Sequence, residues 1–269
     1  MKRIQLFEFE DFNWLPPFIR SSITNLLALL LKMLKTKDVV ATLIINIKKQ
    51  YDFKQIVDLG SGSGGVMLDV IQEINKKEEK PTNILLTDLY PNPSVVNRIN
   101  NTTIENVHYQ QKSLNATDFK DAPSGLKTMM NSFHHMPPKN AQQILQTAQE
   151  NKQPLLIYEM GENNIPTLLW WLLLPISMVI LIIMVLFMTP FTKGVTIKQI
   201  IFTYLIPIIP FIYAWDGQAS LVRMYTFEDI QNYLLKNIKD NSYTWIIDHA
   251  KNEKGKKQGY YILGLPKNS

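Results

Sequence analysis

The 269-residue chain contains no cysteine. Disulfides, thiolate metal sites and a cysteine nucleophile are thereby excluded, and the absence fits a reducing, cytosolic setting. Arginine is scarce, and no compact run interleaves basic with aromatic residues in the manner of a nucleic-acid surface. No nucleic-acid partner is expected. The net charge of +5, carried mostly by lysine, points to a solvated lysine face or to attraction by anionic lipid headgroups. A secretory signal is missing too: residues 1–14 mix Lys2, Arg3, Glu8, Glu10 and Asp11 with aromatics, and no small-residue cleavage site follows an apolar core. The last absence is the most informative. From 165 to 188 there is no charged residue at all.

What is present is organised around Ile56-Val57-Asp58-Leu59-Gly60-Ser61-Gly62-Ser63-Gly64-Gly65. An apolar run that ends in an acid and breaks into alternating glycines reads as a buried strand, a tight turn and a helix start. Glycine lets the backbone approach a ligand closely and take φ > 0, while the free N–H groups of the new helix face that ligand. Two nucleotide-type cofactors compete for it. Gly60-x-Gly62-x-x-Gly65 satisfies the dinucleotide fingerprint, whose helix N-terminus holds a pyrophosphate. Asp58-x-Gly60-x-Gly62-x-Gly64 resembles motif I of the class I S-adenosylmethionine-dependent methyltransferases. S-adenosylmethionine carries an ammonium and a sulfonium but no phosphate, so a carboxylate facing the turn helps rather than repels. The methyltransferase reading gives Asp58 a role; the NAD(P) reading does not.

The surrounding pattern alternates helix and strand, as a parallel sheet requires. Helical spacing predicts a first helix capped by Ser21 or Ser22 and running to about residue 35, then a second over 38–50. Together they resemble a methyltransferase cap, while the apolar face beside Lys32, Lys35 and Lys37 equally fits a membrane-surface helix. After the turn come a helix over 66–75, a strand over 83–88 and a break at Tyr90-Pro91-Asn92-Pro93. Then follow strands over 106–110, 126–132 and 154–159, with a helix over 140–150. Asp88 ends the second strand, where a carboxylate can accept from both ribose hydroxyls. The resemblance further implies that Ser61 and Asn131 touch the cofactor, that Leu89 or Tyr90 packs on the adenine, and that Asn115 and Ala116 stand near the adenine amino group. It also brings forward His134 and His135, since a near-neutral imidazole is suited to act as general base toward the methylated group. No metal is implied.

The apolar run 168–188 is long enough to cross a hydrocarbon layer of roughly 30 Å as a helix. A second run over 199–215 is interrupted by Pro207 and Pro210. A spanning hairpin would place Lys193 and Lys198 outside, against the positive-inside preference, and a re-entrant or interfacial hairpin removes that conflict. Trp170, Trp171, Tyr204 and Tyr213 serve either as interface anchors or as the core of a soluble lid. The chain then returns to polarity, with a helix over 227–238 capped by Thr226 and closing antiparallel strands over 245–249 and 259–265.

The expected fold is α/β: a doubly wound, Rossmann-like, mostly parallel seven-stranded sheet with an antiparallel last strand and an apolar helical hairpin inserted after strand 5. The expected segments are an N-terminal helical cap (1–53), a cofactor-binding core (54–164), the membrane-associated hairpin (165–215) and the completion of the core (216–269). Residues 54–265 resemble a class I methyltransferase. Thr87-Asp88-Leu89-Tyr90-Pro91-Asn92, Ser132-Phe133-His134-His135, Tyr204-Leu205-Ile206-Pro207 and Trp215-Asp216-Gly217 with Arg223 resemble a bacterial, membrane-associated group of such proteins. Asp216 and Arg223 are candidates to grip a substrate headgroup or to pair with each other. The reading implies S-adenosylmethionine as cofactor, a small hydrophobic or lipid-like acceptor, and location at the cytoplasmic face of the inner membrane. Rivals are a tethered methyltransferase for a soluble small molecule, an NAD(P)-dependent oxidoreductase, and a non-catalytic S-adenosylmethionine-binding membrane protein.

Overall fold

A computed structural model describes residues 1–238 and 241–267; within the expected segment 216–269, residues 239–240 and 268–269 lie outside the described residues. In chain order the elements begin with α1 (Pro17–Met33), α2 (Thr36–Gln50), β1 (Gln55–Leu59), α3 (Met67–Lys77), β2 (Asn83–Thr87), α4 (Pro93–Asn100) and β3 (Val107–Tyr109). β4 (Leu126–Met130), α5 (Pro138–Glu150), β5 (Leu155–Glu159), α6 (Thr167–Met188), α7 (Ile197–Ile200) and α8 (Ile208–Arg223) follow. A one-turn α9 (Phe227–Asp229), β6 (Tyr243–Lys251) and β7 (Lys257–Pro266) complete the order. The chain divides into two compact units. One comprises Met1, residues 35–162 and residues 227–269; the other comprises residues 2–34 and 163–226.

The first unit is a seven-stranded sheet in the order β3-β2-β1-β4-β5-β7-β6. β1 to β5 run parallel, and β7 is antiparallel to both its neighbours. This is the expected fold class. The strands read as continuous apolar runs because helices cover both faces of a parallel sheet: β5 is buried along its whole length, and β1 at all but its first residue. α3 buries Met67, Val70, Ile71 and Ile74 at helical spacing, and α5 buries Ala141, Ile144, Leu145 and Ala148. Strand order reverses at β1, with β2 on one side and β4 on the other, so a crevice opens at the carboxyl ends of these strands. The closing strands are longer than expected because the turn at Asn252–Lys256 is tight: the Asn252 N–H donates to the Lys256 carbonyl, and Gly255 takes φ +72°. The helix expected over 227–238 is instead α9 followed by a π-turn, Ile230–Leu234.

The second unit packs α1, α6 and α8 around Leu15, Ile19, Ile23, Leu26, Val185, Met188, Ile209, Ile212 and Tyr213. α1 starts at Pro17, earlier than the serines predict. Proline is pre-set for the first helical position, the Ile19 and Arg20 N–H groups donate to the Pro16 carbonyl, and the Ser22 hydroxyl donates back to Phe18 within the helix. α6 has 22 residues, about 33 Å at ~1.5 Å per residue. α7 runs into a π-turn (Ile201–Leu205), and the chain bends by 78° before α8. Pro207 at the bend supplies no N–H to continue the helix. α8 continues past residue 215 to Arg223, and residues 1–53 are shared between the two units. Lys35, in the left-handed conformation at φ +54°, parts α1 in the second unit from α2 in the first.

Candidate functional site

Gly60, Gly62, Gly64 and Gly65 all take positive φ, at 69°, 52°, 93° and 47°, which a side chain with a Cβ tolerates poorly. They differ in what surrounds them. A Cβ on Gly64 would meet Ile99 at 2.9 Å and Leu68 at 3.0 Å, whereas one on Gly62 or Gly65 would meet nothing within 4 Å. Gly64 thus serves packing, and Gly62 lines open space.

Side chains from three neighbouring elements hold the turn. The Gly62 N–H donates to Asp88 Oδ2 at 2.9 Å, the Tyr109 hydroxyl donates to the Gly62 carbonyl at 2.9 Å, and Arg98 donates to the Ser63 carbonyl at 3.0 Å. Burial pushes the Tyr109 phenol well above its usual range, so it stays a donor. Ser61 turns inward: its N–H donates to the Thr87 carbonyl, and its hydroxyl donates to Asp58 Oδ2 at 2.6 Å.

Asp58 is buried on β1. Its other oxygen accepts from the Thr128 hydroxyl at 2.6 Å, and among the described residues it has no cationic partner. Burial raises its pKa from 3.8 to about 6; the two hydroxyls oppose the rise, and the neighbouring Asp88 charge adds to it. A carboxylate held without a counter-charge beneath an open glycine turn favours a cationic ligand there.

Asp88 follows β2 and is half-buried. Each of its oxygens accepts one backbone N–H, from Gly62 and from Tyr90. Leu89 and Tyr90 beside it are exposed, at 41% and 83%, so an apolar surface stands open next to the carboxylate. Ser113 and Leu114 tie this strand end to the following loop through the Leu89 and Asp88 carbonyls. The Asn115 side chain is engaged locally. Its Oδ1 accepts from both the N–H and the hydroxyl of Thr117, and its carbonyl accepts from Asp118. That oxygen shapes a turn, and Ala116 lies half-buried within it. Asn131, at φ +52°, joins two strand ends: its N–H donates to Tyr158, and its Oδ1 accepts from the Met160 N–H. Next to it, the Ser132 Oγ is buried with no hydrogen-bond partner among the described residues, 3.9 Å from where a Gly60 Cβ would stand.

His134 and His135 lie in the single turn Phe133–His135, their rings 4.3 Å apart. Both oxygens of fully buried Glu159, at the end of β5, accept from His134: from the backbone N–H at 3.0 Å and from Nδ1 at 2.8 Å. A carboxylate at this distance favours a proton on Nδ1 of the imidazole. Sequence reasoning misses Glu159, although a signal exists: β1, β2 and β5 each carry an acid within one residue of the carboxyl end, on the edge where a doubly wound sheet binds its ligand.

Asp216 and Arg223 do not pair with each other. Asp216 accepts from the Phe9 and Glu10 N–H groups at 2.7 and 3.2 Å, and the Arg223 guanidinium stands 2.9 Å from Glu8 and 2.6 Å from Asp11. Both are buried, and both hold the N-terminal strap, residues 7–14, within the second unit.

No family model and no curated protein matches the chain. Solved structures do. The methyltransferase domain of bacterial CtHen1 is 11% identical, with a TM-score of 0.47 over 85% of this chain and 98% of that one. LepI in complex with SAM is 12% identical, with a TM-score of 0.43 over 81% of this chain and 44% of LepI. A putative O-methyltransferase from Nostoc punctiforme is 14% identical, with a TM-score of 0.44 over 85% of this chain and 56% of that one.

Proposed function

We propose that the protein is an S-adenosylmethionine-dependent methyltransferase whose acceptor is a hydrophobic or lipid-like molecule met at the cytoplasmic face of a membrane. The observation that carries the cofactor half is the buried, cation-free Asp58 carboxylate beneath the glycine turn. A dinucleotide would set its pyrophosphate beside Asp58 and Asp88, like charge against like, whereas a ligand bearing an ammonium and a sulfonium gives Asp58 its missing counter-charge. The open space at Gly62 and the unpartnered Ser132 hydroxyl also fit such a ligand. Asp58, Gly60, Gly62 and Asp88 would hold it, with Leu89 offering apolar surface.

When bound, S-adenosylmethionine supplies an electrophilic methyl group. The chain's own contribution is position and, for a hydroxyl acceptor, proton removal by His134 Nε2. Glu159 fixes the tautomer and steadies the charge that the imidazole gains. Shortly beyond β5, on this same sheet edge, the chain enters the second unit at Asn163.

The acceptor half rests on where apolar side chains are exposed. Among the described residues, all the exposed large apolar side chains except Met1, Leu89, Tyr90, Tyr233 and Ile246 belong to the second unit. On α6, Leu168, Leu172 and Ile176 are 84%, 73% and 61% exposed. An apolar area this continuous marks a surface that meets lipid or a partner.

Calorimetry with S-adenosylmethionine, its demethylated product and NAD tests the cofactor, and transfer of radiolabelled methyl to a total-lipid extract tests the acceptor. Label in the lipid phase is the expected result; NAD binding without S-adenosylmethionine binding overturns the proposal. Cofactor binding with no transfer to lipid or soluble extracts would make the protein a sensor. Two variants sharpen the test. Gly62→Val is expected to fold, at a cost of about 1–2 kcal/mol for its left-handed backbone, and to lose measurable S-adenosylmethionine binding by calorimetry. His134→Ala is expected to lower kcat by about 10²–10⁴ while the cofactor Kd is unchanged; equal turnover would remove the base.

A further inference from the structure

Three residues of the N-terminal strap, Phe7, Glu8 and Trp14, reverse the usual sense of burial. In a segment facing water, acids point outward and aromatic rings inward. Here Glu8 is 2% exposed and stands against Arg223, while Phe7 and Trp14 are 48% and 65% exposed. Each inversion is costly in water: a charge pair taken out of solvent loses its hydration, and a bare indole forgoes burial. The two exposed rings are joined through half-buried ones. Phe7 lies 5.1 Å from Trp215 and 5.8 Å from Phe12, and Phe12 stacks on Trp14 at 5.6 Å.

Several of the strap's backbone groups are satisfied from within the same unit. The Phe9 and Glu10 N–H groups donate to Asp216, the Asp11 N–H donates to the Glu8 carbonyl, and the Phe12 N–H donates to the Phe9 carbonyl. The Phe7 carbonyl accepts from the Trp215 indole, and the Glu10 and Phe12 carbonyls accept from Arg20. Internal satisfaction of backbone groups is what a low-dielectric surrounding demands, and amphipathic aromatic rings collect where hydrocarbon gives way to headgroups.

We propose that Phe7, Phe12, Trp14 and Trp215 form an aromatic anchor that seats in the headgroup zone of a lipid bilayer, with Arg223 and Asp216 holding the strap in that presentation. This rests on the membrane reading above and adds an anchor outside the apolar hairpin. A bilayer is favoured over a second copy because the same unit carries α6, apolar, exposed and about as long as a hydrocarbon layer is thick.

The test is flotation of the full chain with vesicles of phosphatidylcholine and phosphatidylglycerol, together with quenching of tryptophan emission by lipids brominated near the headgroup. Wild type is expected to float, and its headgroup-level quenching is expected to fall in Trp14→Phe. Phe7→Ala with Trp14→Ala is expected to weaken vesicle binding by about tenfold per ring. Both residues are exposed, and an unchanged thermal melt checks that this variant folds. Unaltered quenching in Trp14→Phe, with equal flotation of the double variant, overturns the anchor while the membrane reading stands. Failure of wild type to float overturns both, and a light-scattering dimer broken by the double variant would identify the rings as a protein interface.

Discussion

Asp58→Asn is expected to stabilise the protein while weakening its hold on S-adenosylmethionine about 100-fold, the scale of losing one member of a buried charge pair. The two effects have one cause. Raising the Asp58 pKa from 3.8 to about 6 corresponds to roughly 3 kcal/mol of penalty on the ionised form. Between these pH values the unfolded chain has released the proton and the folded chain retains it, so this group's contribution to stability falls as pH rises from about 4 to 6 and stays low above. The amide carries no charge and escapes that penalty, and the Ser61 and Thr128 hydroxyls are free to rotate to suit it. Thermal melts at pH 7 are expected to rise by roughly 3–8 °C, with the gain vanishing near pH 4. Cofactor affinity runs the other way: a cation needs the carboxylate ionised, so wild-type affinity should fall about tenfold per pH unit below 6, while the variant's pH profile is flat. A destabilised variant with unchanged affinity would make Asp58 a brace for the turn and remove the argument for a cationic ligand.

The parts of this site that can be read in advance are those whose chemistry is local. Four glycines and an acid within eight residues announce a turn, and Asp88 is marked by its place at a strand end. The residues that complete the site come from register. Thr128 reaches Asp58 because β1 and β4 pair these two residues, and Tyr109 reaches the Gly62 carbonyl because β3 pairs with β2 at Leu86. No pattern within one strand encodes its register with another. Glu159 lies 25 residues from His134 and looks, in sequence, like the polar end of any buried strand. Asn115 has a part that its place in the chain does not announce. Its place predicts an adenine contact, and its oxygen also accepts from the N–H and hydroxyl of Thr117. The strap fails for a similar reason to Glu159. Acids and aromatics mixed over 7–14 look like a polar surface, and only Arg223, far along the chain, shows that Glu8 among them turns inward.

Charging one exposed face of α6 gives the largest effect expected on the acceptor half. Leu172, Ile176 and Ile180 stand four residues apart and are 73%, 61% and 60% exposed. Leu172→Glu with Ile176→Lys and Ile180→Glu places opposite charges at the helical spacing where they attract. In water such surface exchanges alter stability by only about 0.5 kcal/mol each. In hydrocarbon a charged side chain costs about 3 kcal/mol near a helix centre, so three should reduce vesicle binding by well over a thousandfold. The triple variant is therefore expected to remain folded, to need no detergent, to bind S-adenosylmethionine as wild type does, and to leave vesicle-borne acceptor unmethylated while still turning over detergent-dispersed acceptor. Retained flotation and unchanged turnover on vesicles would show that this face meets protein or water. Loss of cofactor binding together with flotation would instead locate α6 within the fold's own stability. The result separates a membrane that merely tethers the enzyme from one that supplies its acceptor: a tether alone leaves the rate with a water-soluble acceptor untouched, whereas delivery from the bilayer makes turnover depend on where the acceptor is dissolved.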